Sequence, residues 1–337
     1  MSEEIRPRPG AATLTDVARR AGVSLATASR VLNGSSRSVG EGLAQRVLAA
    51  ADELSYSPHG PAQAMARGHT MSIGMIAPDI ADPFFTQLSA GATDAAGRHS
   101  LMLSMAVHRG DPALEVQQVR AFRAQRVRGL VVAGSRLLGE NPTGLLQALG
   151  DLPAVIVGQP IGDVPTVRFA NQEGAAALAS SLVDLGYRRT ITLAGPEHHL
   201  TSSERVLGFS QVVEAAGLEH ELVRDEFSRD GGHAAMTRVL DRVRGAGAPT
   251  CVFAVTDMMA LGAITALHEA GVVAGRDVGV AGFNDLPVLA DLRPGLTTVR
   301  LPLREAGAAA VEALLDGAVQ EQSFAGEVIV RDSTPAH

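Results

Sequence analysis

At 337 residues, with 46% hydrophobic and 19% charged, the chain has the length for two or three domains with sizeable apolar cores. A net charge of −7 argues against nonspecific DNA binding by the whole surface, and the single cysteine, Cys251, excludes a disulfide framework. The charge is uneven: eight arginines and six acids leave residues 1–68 at +2, while 21 arginines and 30 acids leave the remainder at −9. A mildly basic head on an acidic body fits a DNA reader joined to a sensor.

The first ten residues, MSEEIRPRPG, hold no apolar stretch, so residues 1–12 read as a disordered tail and not as a signal peptide. No apolar run approaches membrane-spanning length, and the lone cysteine, inside the apolar run CVFAV, suits a reducing cytoplasm. Residues 13–59 read as a small helical domain. Thr13 and Asp16 have the spacing of a helix N-cap and its third residue. Val17, Ala18 and Ala21 share one face of that helix, and Gly22 supplies a turn. Ser24 then caps a second helix from Leu25 to about Leu32, with Ala28, Val31 and Leu32 inward. A third helix is expected over Glu41–Leu54, with Leu43, Val47, Ala50 and Leu54 as its buried stripe. Two short helices around a tight turn match the dimensions of a helix-turn-helix, whose second helix enters a major groove. Leu25, Ala26, Ser29 and Arg30 lie on the outward face of that second helix, with Thr27 near its start. Arg30 can reach a guanine edge or a phosphate, whereas Leu25 and Ala26 can only touch thymine methyls or select by fit.

From Met71 onward, β-rich runs alternate with helical ones, which implies parallel sheets wrapped by helices. SIGMIAP, LMLSMAV, GLVVAG and PAVIVG are expected strands of a first lobe; TITLAG, a strand around LVRDEF, CVFAV and DVGVAGF are those of a second. Helices FFTQLSAGATDAAGRH, GHAAMTRVLDRVRG and MMALGAITALHEAG fall between them. Ligands of open α/β sheets bind beyond the carboxyl ends of strands. That rule selects Asp79, Phe84 and Phe85, then Ser135 with Arg136, and Gln159 in the first lobe. In the second lobe it selects Thr201 to Arg205, Phe227, Thr256 with Asp257, and Asn284. Adjacent phenylalanines can stack on a sugar or base, although Phe85 also reads as core. Arg205 can grip a carboxylate or hydroxyls with two parallel bonds.

The segment TLTDVARRAGVSLATASRVLN resembles the LacI/GalR family of bacterial transcription regulators, whose pattern [LT]-x-DVA-x-x-AGVS-x-x-T-x-SRVLN it nearly completes. The resemblance extends through LSYSPHGPAQAMARG, IGMIAPDIADPFF, VRGLVVAGS, LGYRRTITLAGP, AVTDMMALGAITALHEAG, DVGVAGFNDLP and LTTVRLPLREAG, in the family's order. It implies an α/β chain with an N-terminal three-helix helix-turn-helix DNA-binding domain, a hinge helix, and a two-lobed periplasmic-binding-protein-like (type I) sensor with parallel sheets. The implied domains are residues 13–59, a hinge over 60–70, a first lobe of 71–169 plus 301–323, and a second of 170–300 plus 324–337. Leu25, Ala26 and Arg30 occupy the family's base-reading positions. Thr13, Ser24, Thr27, Ser29 and Asn33 lie where it touches phosphates or fixes the helix, and Tyr56 and His59 where it meets the backbone. Met65 stands where the family wedges a leucine into the minor groove, and Pro61 is placed to open the hinge helix.

The same resemblance makes Arg205 an effector-binding arginine and places His199, Phe84, Thr201 and Phe227 at pocket positions. The chain departs from the family at four acid or amide positions: Gly158, Ala170 before Asn171, Thr256 and Asn284. Losing acids while keeping Arg205 tilts the expected effector towards a sugar acid or phosphosugar. The implied function is a repressor that binds a pseudo-palindromic operator as a homodimer and is switched by a sugar, sugar acid or nucleobase in the cleft. A chain without a leucine-heptad tail suits a dimer. The alternative, a solute-binding protein for transport, shares the sensor fold but gives the helix-turn-helix no purpose. No nucleophile motif, phosphate loop or metal-ligand spacing occurs, and His198-His199 lacks a third ligand, so no catalytic residue, metal or cofactor is expected.

Overall fold

A computed structural model describes residues 12–33, 39–57, 64, 68–134, 139, 141–245, 247–317 and 321–337. The chain forms two units, Met1–Thr70 and Met71–His337. The expected tail and hinge fall, apart from Ala12, Ala64 and residues 68–70, outside the described residues.

The head unit contains α1 (Leu14–Ala21), α2 (Leu25–Asn33) and α3 (Glu41–Glu53). Thr13 and Asp16 close a reciprocal capping box, satisfying donors that the first helical turn would otherwise leave unpaired. Gly22 ends α1 with φ 65°, a left-handed conformation that any Cβ would strain. Ser24 Oγ accepts from Thr27 N at 3.1 Å and so starts α2. The three helices bury Val17, Ala18, Ala21, Ala28, Val47, Ala50 and Ala51. Leu43 departs from the expected stripe: it is 40% exposed, and Ala51 is buried instead. Leu43 belongs to the first turn of a 13-residue helix whose buried residues begin only at Val47.

The second unit has two lobes. The first is a six-stranded parallel sheet in the order β11-β5-β4-β3-β1-β2. Its strands are β1 (Ser72–Ala77), β2 (Met102–Val107), β3 (Leu130–Gly134), β4 (Ala154–Gly158), β5 (Thr166–Phe169) and β11 (Glu321–Phe324). The second is a four-stranded parallel sheet in the order β7-β6-β8-β9. It comprises β6 (Arg189–Ala194), β7 (Glu219–Arg224), β8 (Thr250–Ala254) and β9 (Gly279–Ala281). Central strands such as β1 and β8 read as nearly unbroken apolar runs because helices cover both faces.

The helices are α4 (Pro83–Arg98), α5 (Pro112–Ala124), α6 (Thr143–Leu149), α7 (Asn171–Asp184), α8 (Leu200–Ala215), α9 (Arg229–Arg244), α10 (Asp257–Glu269) and α11 (Leu303–Asp316). A short antiparallel pair, β10 (Thr298–Arg300) and β12 (Glu327–Ile329), accompanies the crossings between lobes. Helices α4 and α11 meet backbone to backbone: a Cβ on Gly91 would lie 1.8 Å from Arg304 O, and one on Gly307 2.0 Å from Leu88 O. Two expected boundaries shift. Helix α9 begins three residues before the expected Gly232, because Ser228 Oγ accepts from Gly231 N at 3.0 Å. Strand β7 ends at Arg224, so Phe227 sits on the following loop instead of in a strand. Among the described residues, no helix is long and apolar enough to cross a membrane.

Candidate functional site

In the head, the outward face of α2 is polar except at its start. Leu25 is 50% exposed, and Ala26 and Arg30 are exposed, so a large apolar side chain faces solvent beside an arginine. Ser29 and Thr27 are half-buried. The hydroxyls of Thr13, Ser24 and Thr27 are already engaged at helix starts: Thr13 Oγ1 donates to Asp16 Oδ2 at 2.7 Å, and Ser24 Oγ lies 2.8 Å from Thr27 Oγ1. They shape the helix ends. Tyr56 packs against the head core, its N–H bonded to Ala51 O at 2.8 Å. His59, Met65 and the side chain of Asn33 lie outside the described residues.

In the second unit, a cavity of about 510 Å³ opens between the lobes at the carboxyl ends of the strands. That volume is typical of a small-molecule site. The strand-end rule finds part of its wall: Asp79, Phe84, Phe85, Gln159, Thr201, Arg205, Phe227, Thr256 and Asn284 all line it, as does His199. Ser135 and Arg136 fall outside the described residues. Phe85 is only 9% exposed and serves the first lobe's core as well as the wall. Its ring meets Phe84 edge-on at 5.1 Å, and Phe84 meets Phe169 at 5.8 Å. Across the cavity, His199 stacks on Phe227 with centroids 4.2 Å apart. Burial first, then the positive charge of Arg205, lowers the His199 pKa to about 4, so the ring is neutral at pH 7.

Arg205 lines the cavity and is also tied into the protein. It is 2% exposed and already committed: Nε donates to Asn171 Oδ1 at 3.0 Å, Nη1 donates to Val255 O at 2.7 Å, and the guanidinium lies 3.9 Å above the Phe283 ring. Burial lowers its pKa to about 9, while the carboxylates of Asp257, Glu204 and Asp82 hold it up. Asp257 is equally buried. Burial raises its pKa to about 6 against the bonds from Thr298 Oγ1 at 2.7 Å and Leu286 N at 2.8 Å. Thr256 caps α10, its Oγ1 accepting from Met259 N at 3.1 Å.

Sequence reasoning missed Asp82, His108 and Glu115, and the partners of Glu204. Asp82 was legible as an Asp before a proline-started helix: its Oδ1 accepts from Phe84 N at 2.9 Å, and burial raises its pKa. Glu204 carried no such signal. Its Oε1 accepts from Gln159 Nε2 of the first lobe at 2.8 Å, and its Oε2 accepts from Asn171 Nδ2 at 2.9 Å. One carboxylate of α8 thus ties the first lobe to the start of α7. Removing it leaves the buried Asn171 amide short of an acceptor. Glu204→Ala is therefore expected to lower stability by about 1–3 kcal/mol in urea denaturation, with Glu204→Gln losing less. Equal stability of Glu204→Ala and the parent would contradict the clasp.

Comparison with known proteins places these features together. The family model "Bacterial regulatory proteins, lacI family" matches residues 13–59, and "Periplasmic binding proteins and sugar binding domain of LacI family" matches residues 70–323. The HTH-type transcriptional repressor CytR of Escherichia coli (strain K12) is 30% identical, with 97% of each chain covered. The HTH-type transcriptional repressor PurR of Aliivibrio fischeri (strain MJ11) is also 30% identical, covering 90% of this chain and 91% of its own. A solved lac repressor dimer bound to operator and the anti-inducer ONPF superposes with a TM-score of 0.83 at 28% identity, covering 97% of this chain and all of that one.

Proposed function

The chain belongs to the LacI family of bacterial transcriptional regulators, and from that membership and the two sites we infer a ligand-responsive repressor that binds operator DNA as a homodimer. The observation that carries this is the pairing, in one chain, of an exposed helix-turn-helix reading face with a cavity between two lobes.

Leu25, Ala26 and Arg30 are the residues assigned to base reading. Arg30 forms the hydrogen bonds, and the apolar pair selects by contact with thymine methyls. Thr13, Ser24, Thr27, Ser29, Asn33, Tyr56 and His59 fix the helix against the phosphates, and Met65 enters the minor groove. Two half-sites multiply the modest grip of a head with a net charge of only +2. Phe84, Gln159, His199, Thr201, Arg205, Phe227, Thr256 and Asn284 are assigned to the effector, with Asp79, Phe85 and Ser135 at the margins. The effector binds two lobe conformations unequally, and that difference in affinity changes operator binding through segment 60–70. The protein works where the chromosome is, in the cytoplasm, and performs no catalysis. The two family matches and the two repressor relatives support both statements.

Selection of bound duplexes from a random pool tests the DNA half. Enrichment of a pseudo-palindrome whose half-sites are spaced for two recognition helices is expected. Recovery of unrelated sequences with no shared half-site would overturn it.

A further inference from the structure

A bond made entirely of protein atoms spans the cleft. Gln159, where the chain leaves β4 of the first lobe, donates from Nε2 to Glu204 Oε1 on α8 of the second lobe at 2.8 Å. Both ends are held in place. Gly158, just before Gln159, has φ 138°, and a Cβ there would lie 2.3 Å from Gly134 O. A bare backbone lets the end of β4 press against the end of β3, which fixes where Gln159 starts. In the second lobe, Glu204 and Arg205 grip the two ends of one carboxamide. Asn171 Nδ2 donates to Glu204 Oε2 at 2.9 Å, and Arg205 Nε donates to Asn171 Oδ1 at 3.0 Å. Asn171 is 6% exposed and opens α7 directly after β5 of the first lobe. The Glu204 carboxylate thus has one oxygen bound on its own side of the cleft and the other bound across it.

Parting the lobes breaks this bond and spares the others. The bonds of Asn171 with Glu204 and Arg205, and of Arg205 with Val255 O at 2.7 Å, all lie on the second lobe's side. Gln159 and Glu204 are half-buried, so opening returns both groups to water. A hydrogen bond to a charged group still shifts a two-state equilibrium by about tenfold. Asp82 of the first lobe acts in the same sense, because its carboxylate is one of the charges that hold up the pKa of Arg205 in the second.

Granted that the cleft controls operator binding, we propose that the Gln159–Glu204 bond is a latch that biases the lobes towards closure by itself. Glu204 is then a positioning residue: it sets the operator affinity from which an effector starts. The effector works on an equilibrium that this pair has already shifted, so the pair also sets how large a response remains.

Double electron–electron resonance on the full-length protein, with no ligand added, tests it through spin labels at Gln117→Cys and Thr237→Cys. Both side chains are exposed, on α5 and α9, whose first turns border the cavity from opposite lobes, and Cys251 is fully buried and escapes labelling. Gln159→Glu sets two carboxylates against each other and is expected to move the distances longer at neutral pH. Gln159→Met, which removes the donor without adding charge, moves them less and stands in if the first variant fails to fold. The exchanged pair, Gln159→Glu with Glu204→Gln, again holds one donor and one acceptor and is expected to return the parent distances. Affinity for a selected duplex, read on the same chains, is expected to change by about fivefold or more in Gln159→Glu and to recover in the exchanged pair. Parent distances in both single variants would overturn the latch and leave the cleft's control of DNA standing. Longer distances that the exchange does not restore would overturn the pair as their cause. Longer distances with an unchanged duplex affinity would overturn the cleft's control of DNA itself.

Discussion

Replacing Arg205 with methionine lowers stability by about 3–5 kcal/mol and abolishes effector binding. The side chain lines the cleft and also holds its wall together. It fills the centre of the second lobe's cleft wall, with Asn171, the Val255 carbonyl and the Phe283 ring around it and Asp257, Glu204 and Asp82 balancing its charge. Methionine approximates its shape but supplies no donors. Two buried acceptors then go unpaired, and Asp257 loses its positive neighbour. Removing one partner of a buried charged network costs about 3–5 kcal/mol. The loss also depends on pH, through Asp257. Its folded pKa of about 6 lies above the ordinary aspartate value of 3.8, so the stability tied to its protonated form is present at low pH and lost as pH rises through the folded pKa. Without Arg205 the folded pKa moves higher still. The gap between variant and parent is therefore larger at pH 7.5 than at pH 5. Urea denaturation at the two values measures it, and a gap that stays the same or grows at pH 5 would contradict the account.

Arg30→Ala has its large effect elsewhere. Arg30 lies on the exposed face of α2, so the fold and the ligand cavity lose nothing. A bidentate arginine–guanine contact contributes about 1–3 kcal/mol, and a dimer loses it twice. Operator affinity is expected to fall at least tenfold in a mobility-shift titration, with effector affinity unchanged. Leu25→Ala trims apolar contact alone and is the milder companion. Equal operator affinity for Arg30→Ala and the parent would remove α2 as the reading helix.

How much of this was legible in the sequence depends on the range of each interaction. The capping box at Thr13 and Asp16 and the left-handed Gly22 are local, and three or four residues suffice to read them. Strand β1, SIGMIA, announces itself because a strand buried on both faces is apolar throughout. The cleft followed from topology, since strand ends alone named residues on its wall from both lobes. Strands β5, β10 and β11 were not legible. TVRF, TVR and EQSF are short and partly polar, and form because neighbouring strands offer them partners. Leu43 misled because helical periodicity shows which face is apolar but not how far a neighbour covers it. The commitments of Arg205 and Glu204 were invisible for a related reason. Asn171 is 34 residues from Arg205, Gln159 is 45 from Glu204, and no local pattern links them. An arginine in the helix that follows a strand reads alike whether or not distant elements supply it with acceptors.

The central claim is that occupancy of the cleft and occupancy of DNA are coupled in one chain. The most direct test is the affinity of the full-length protein for a selected pseudo-palindromic duplex, measured by fluorescence anisotropy with and without a saturating cleft ligand. A coupling of about 1–3 kcal/mol predicts a change of about 5- to 150-fold, lost in Asn284→Ala at the same ligand concentration. An identical affinity with and without a ligand known to fill the cleft would contradict it.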